Sequence, residues 1–190
     1  PLILVLFERG AFDRADTVAT AWTLAVYGLG LPAFTLHKVL QPLYYAREDT
    51  SRPFRFAVWA MVVNATVAVG LAGPLDRVAP GWGFLAAALA TTVAGWTMVW
   101  QLWRGAREMG EAARMDERLR RRLPRILAAS AVMGAALTGA AWLLDGALHA
   151  PGLRYGALAG LVALGMGAYA AAAFGFGALR VADLRAALRR

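Results

Sequence analysis

The stretch FAVWAMVVNATVAVGLAGPL, residues 56–75, carries no charged side chain over twenty positions. An α-helix of that length rises about 30 Å, which matches the hydrocarbon thickness of a bilayer. Arg55 precedes the run and Asp76 follows it, so charge brackets a segment fit to cross. Four more runs qualify or nearly qualify: residues 17–37, 78–103, 126–144 and 155–179. Residues 1–7 are apolar but too short to span, and they read as the tail of a helix begun upstream. The expected fold is therefore all-α, a polytopic transmembrane helix bundle, and the chain is expected to be a piece of a longer one.

Composition agrees. Apolar residues make up 59% of the 190 and charged residues 17%, more apolar than a soluble domain of this size typically is. The net charge of +8 could suggest nucleic acid, but the basic residues gather in the breaks between apolar runs, where they meet lipid head groups. No nucleic-acid partner is expected; anionic lipid is. Alternate breaks hold fourteen Lys and Arg against four in the others. The positive-inside rule then places 46–55, 104–123 and the C-terminal tail in the cytoplasm, and residues 8–16 outside. The organisation expected is the end of one helix plus three spans over 1–103, a basic cytoplasmic loop at 104–123, two final spans over 124–180, and a basic tail at 181–190. Met109, Ala113 and Leu119 give the loop an apolar side that can touch the bilayer, and the tail is expected to lie along the interface as a helix.

Catalysis lacks parts. There is no cysteine, the serines are Ser51 and Ser130, and the histidines are His37 and His149, near opposite membrane faces on this topology. Every Asp and Glu sits in a break or at a span's end. No triad, carboxylate pair or metal cluster can be assembled from these, so neither an enzyme nor a bound cofactor is expected.

The informative segment contains Tyr27-Gly28-Leu29-Gly30-Leu31-Pro32 and then His37-Lys38-Val39-Leu40-Gln41-Pro42. Pro32 cannot donate to the Gly28 carbonyl, and two glycines loosen the same turn, so a kink or local break is expected. Such a break either lines a substrate cavity, as in transporters, or only shapes packing. Lys38 is a lone cation in an apolar stretch; it can snorkel, pair, or attract a phosphate. Asn64, central in its span, is best explained by an interhelical hydrogen bond. Small residues recur at spacing four in Ala87/Thr91/Gly95, Ala131/Ala135/Gly139 and Gly156/Gly160, a pattern that lets helix backbones approach closely.

These residues also carry a resemblance. Residues 6–12 (LFERGAF), 27–34 (YGLGLPAF) and 38–53 (KVLQPLYYAREDTSRP) resemble the MurJ (MviN) family of bacterial lipid II flippases, within the multidrug/oligosaccharidyl-lipid/polysaccharide exporter superfamily. The resemblance implies the C-terminal part of a fourteen-helix protein of the bacterial inner membrane, with two lobes around a basic cavity and a groove for the polyprenyl tail in its last two helices. Lipid II would be the partner, together with the missing N-terminal lobe of the same protein. Tyr27, Gly28, Pro32 and Lys38 would belong to the substrate cavity. The family also implies sodium coupling, with Asn64 and Thr91 matching two positions of a site where Ala68 stands in place of a polar ligand. Another exporter of the superfamily, or a membrane scaffold without a transport cycle, are the alternatives to a flippase.

Overall fold

The computed structural model describes residues 1–113, 117–150 and 152–178, with the side chains of 111–113, 118 and 119 outside that description. The expected helix at 181–190, and any contact by Ala113 or Leu119, lie outside it. Helices follow one another as α1 (Leu2–Phe7), α2 (Arg14–Tyr45), α3 (Ser51–Val78), α4 (Leu85–Ala106), a 3₁₀ segment (Arg107–Ala113), α5 (Glu117–Leu143), α6 (Asp145–His149) and α7 (Arg154–Gly175). Five of them, α2, α3, α4, α5 and α7, contain a stretch long and apolar enough to cross a membrane. The chain divides into two compact units, residues 11–114 and residues 1–10 with 115–190.

In the first unit α4 is the central helix. Both α2 and α3 pack along it and scarcely touch each other. α4 is accordingly the most buried of the spans, with Ala86, Ala88, Ala90, Thr92, Ala94, Val99 and Leu102 all enclosed. Its small side chains are what allow two helices to come close on different sides. At one end of the unit the α2 C-terminus, the α3 N-terminus and the α4 C-terminus meet around Tyr44. That side chain is fully buried beside Ala60, Met98 and Leu102, and its hydroxyl donates to the Leu102 carbonyl at 2.6 Å. A Cβ at Gly105 would stand 2.5 Å from the Tyr44 hydroxyl, so glycine there is what admits the ring. At the other end Trp22 and Trp82 face each other with centroids 6.3 Å apart, and Phe84 lies 6.1 Å beyond.

Several element boundaries follow local chemistry. Asp13 and Asp16 form a reciprocal capping box that opens α2. The third span starts at Leu85 and not at Val78, because Pro80 and Gly81 turn the chain first. Gly81 takes φ +83 and donates its N–H to Asp76 Oδ1 at 2.8 Å. Within the basic break 104–123, α5 already begins at Glu117, and Met109 packs against the Tyr44 cluster. The last span ends at Gly175, short of 179, where Gly177 at φ +67 lets Ala178 N–H reach back to the Ala173 carbonyl at 2.8 Å.

In the second unit α5 and α7 pair, with α1 and α6 against α7. Val5, Leu148 and Leu161 form one buried cluster and Ala129, Ala173 and Ala178 another. A Cβ at Gly165 would lie 3.2 Å from the Leu137 side chain, so this glycine marks the close approach. The spacing-four stripes do not mark it: nothing lies within 4 Å of a Cβ built at Gly139, Gly156 or Gly160, and Ala131 and Ala135 are exposed.

The Tyr44–Gly105 contact can be tested as a pair. Gly105→Ala should lose about 1–3 kcal/mol through overpacking, and Tyr44→Phe about 1 kcal/mol through the lost hydrogen bond. The double variant should lose less than the two added together, because removing the hydroxyl removes the clash. Unfolding of purified protein in mixed detergent micelles measures all three; strict additivity would refute the contact.

Candidate functional site

α2 presents two different faces. Gly30, Ala33, His37, Leu40 and Tyr44 recur at spacings of three and four, and this stripe is buried or half-buried against its neighbours. Gly30 is needed there, since a Cβ would meet Thr92 Oγ1 at 3.2 Å and the Phe34 ring at 3.3 Å. Two side chains of α4 then donate to the α2 backbone. The Thr92 hydroxyl reaches the Val26 carbonyl at 3.0 Å, and the Trp96 indole N–H reaches the Leu29 carbonyl at 3.0 Å. These bonds flank Gly28, the residue whose carbonyl loses its helical donor to Pro32.

Of the expected kink or local break, the break is absent. α2 runs as one helix of 32 residues with Pro32 and Pro42 inside it. The physical reason lies in α4, which grips the α2 backbone on either side of Gly28 and so holds the turn that Pro32 weakens. What remains is exposure: Tyr27, Gly28, Pro32 and Lys38 are all exposed, each roughly 100° or more around α2 from its packed stripe. Tyr27 and Lys38 lie near the same line along the helix, about 16 Å apart.

Asn64 and Thr91 do come together. Asn64 Nδ2 donates to Thr91 Oγ1 at 3.3 Å, and the Thr91 hydroxyl donates in turn to the Ala87 carbonyl at 2.9 Å. They line a crevice of about 310 Å³ whose floor is α4 and whose walls are α2 and α3, shared with Phe34, His37, Met61 and Met98. His37 was not singled out as a crevice residue from sequence, although its place on the Gly30–Tyr44 stripe was the available signal. Its Nε2 is buried and has no hydrogen-bond partner among the described residues. Asn64 and Thr91 supply two side-chain oxygens, Ala68 adds none, and no group of three His, Asp or Glu gathers among the described residues. A hard cation takes about six oxygens, so these residues do not by themselves form a sodium cage. Their arrangement serves as an interhelical link between α3 and α4.

That link has a measurable size. Asn64→Leu and Thr91→Val, singly and together, should give a coupling of about 0.6–1.7 kcal/mol in unfolding experiments. A coupling of zero would show that the two side chains do not act as a pair.

Comparison with known proteins places this geometry. The family model described as lipid II flippase MurJ matches residues 1–151. A probable lipid II flippase MurJ of Rhizobium meliloti (strain 1021) is 38% identical over 193 aligned residues, covering 100% of this chain and 35% of the relative. Its counterpart in Rhizobium tropici is 35% identical over 100% of this chain and 34% of the relative. One from Vibrio cholerae is 34% identical over 98% of this chain and 34% of its own length. The chain thus spans about a third of the length of these curated relatives. No solved structure matches it. Similarity that begins at residue 1 and covers four-fifths of the chain in the family model, joined to five membrane-length helices, identifies the chain as a member of the lipid II flippase MurJ family.

Proposed function

We propose that this chain is the C-terminal part of a lipid II flippase that works by alternating access in the bacterial inner membrane. The observation that carries the reading is the match, over the whole of this chain and about a third of their own length, to relatives bearing that name. Lipid II joins a polyprenyl tail to a pyrophosphate and a sugar–peptide head, and moving such a head through hydrocarbon unaided is prohibitive. A protein cavity that opens to one side and then the other keeps the head among polar groups while the tail stays in lipid. The chemistry required is binding and motion, with no bond made or broken.

In this reading the exposed face of α2 turns toward the substrate path, completed by helices of the rest of the protein. Lys38 offers its ammonium to the pyrophosphate, and Tyr27 and the Gly28 carbonyl, freed of its helical donor, offer polar contacts to the head group. Rigidity of α2 suits this role, since a helix clamped by Thr92 and Trp96 holds Lys38 at a fixed height. The basic breaks at 46–55 and 104–123 and the C-terminal tail face the cytoplasm.

Two measurements test the proposal in the full-length protein. Lys38→Gln should slow lipid II exposure at the outer face about tenfold, the worth of one charge-assisted hydrogen bond, with Lys38→Arg milder and membrane levels unchanged. Normal flipping by the Gln variant would remove Lys38 from the path. Arg77→Cys should react with an impermeant thiol reagent outside intact cells, and Ser51→Cys only after the membrane is opened. The reverse pattern would overturn the orientation.

A further inference from the structure

Where α3 begins and α4 ends, a pocket of about 290 Å³ opens between Arg52, Arg55 and Phe56 on one helix and Trp100, Gln101, Arg104 and Glu108 on or just past the other. Its charges are not equivalent. Arg52 is already used, with Nε 3.3 Å from Asp49 Oδ2 and Nη1 3.3 Å from Glu108 Oε2. Arg52 is thus shared between two carboxylates, Asp49 and Glu108. Arg55 has no carboxylate partner among the described residues, and Arg104 has only the Trp100 ring, 5.4 Å from its guanidinium carbon. The Arg55 and Arg104 guanidinium groups thus line one pocket, and neither is paired with a carboxylate among the described residues. Below them, Gln101 Oε1 is buried and accepts no hydrogen bond. Phe56 and Trp100 close the pocket with apolar surface, and Trp100 remains half exposed.

We propose that this pocket binds the head group of an anionic glycerophospholipid that carries a free hydroxyl, phosphatidylglycerol being the simplest. The phosphodiester answers Arg55 and Arg104, whose planar donors suit phosphate oxygens. A glycerol hydroxyl supplies the donor that the Gln101 oxygen lacks, which a buried acceptor requires. The acyl chains run down over Phe56 and Trp100, and tryptophan is favoured at this depth of a membrane. The site stands at the ends of two spans, where a head group lies, and does not depend on what the protein transports. A soluble phosphate would satisfy the arginines equally but leaves the apolar walls and Gln101 without a role.

The test uses full-length protein in detergent, with bound lipid counted by native mass spectrometry during titration. The probes are phosphatidylglycerol, phosphatidylmethanol with the same chains and no head-group hydroxyl, and phosphatidylcholine. Phosphatidylglycerol should bind most tightly. Arg55→Gln and Arg104→Gln should each weaken it about fivefold, while Arg77→Gln, at the far end of α3, should not. Gln101→Leu, which removes no charge, should bring phosphatidylglycerol down to the level of phosphatidylmethanol and leave the latter unchanged. Unaltered phosphatidylglycerol binding in the arginine variants, or an undiminished preference for it in Gln101→Leu, would overturn the site. Displacement of the lipid by soluble glycerol phosphate at equal concentration would equally overturn it, by showing a pocket for free phosphate.

Discussion

In hydrocarbon no water is released when two apolar helices meet, so helix association rests on close packing and on polar groups that find one another. The 11–114 unit shows how one helix meets that constraint for three. α4 carries alanines where α2 and α3 must approach, and it carries four polar contacts where they must be fixed. Thr92 and Trp96 reach the α2 backbone, Thr91 meets Asn64 of α3, and the Leu102 carbonyl receives Tyr44. Three of these four bonds involve a backbone carbonyl. Such an acceptor is present on every turn and asks nothing of the partner's side chain, so one small or aromatic donor suffices to set the register.

Glycine completes the arrangement only at particular heights. Gly30 faces Thr92, and Gly105 faces Tyr44, each where a donor on one helix meets backbone on another. The alanine and glycine stripes on α5 and the start of α7 meet nothing comparable within the unit. Smallness is therefore permissive: in the 11–114 unit it becomes a contact beside a hydrogen bond, and at Gly165 it does so against the Leu137 side chain alone.

The spans were legible in the sequence because their signal is length without charge, a property each segment carries by itself. Residues 56–75 needed no neighbour to be recognised, and α3 contains them. The ends were less legible where the cause was a tertiary or turn contact, as with Gly81 and Asp76 before α4, or Met109 drawn toward Tyr44. Asn64 read correctly as an interhelical hydrogen bond, since an amide in the middle of a membrane span has few other options. Of the kink or break that Pro32 suggests, the break does not occur, and the donors beside its turn, Thr92 and Trp96, come from a helix some sixty residues away. Of the candidate site, the residue types were visible but not the faces. Lys38 and His37 are adjacent in sequence, yet His37 lines the crevice and Lys38 is exposed.

That divergence of neighbours carries a consequence for how a moving protein can be built. A helix that both anchors a bundle and meets a polar ligand must keep the two tasks on separate faces, since a ligand-driven shift on one would otherwise strain the other. α2 keeps two such faces apart: the Gly30–Tyr44 stripe packs against its neighbours, and Tyr27, Gly28, Pro32 and Lys38 are exposed. Pro32 falls on the unengaged side, where its missing N–H leaves the Gly28 carbonyl open without loosening the anchored stripe. A proline on the packed face would have displaced the bonds from Thr92 and Trp96. On the exposed face it frees an acceptor and leaves the packing against α4 intact.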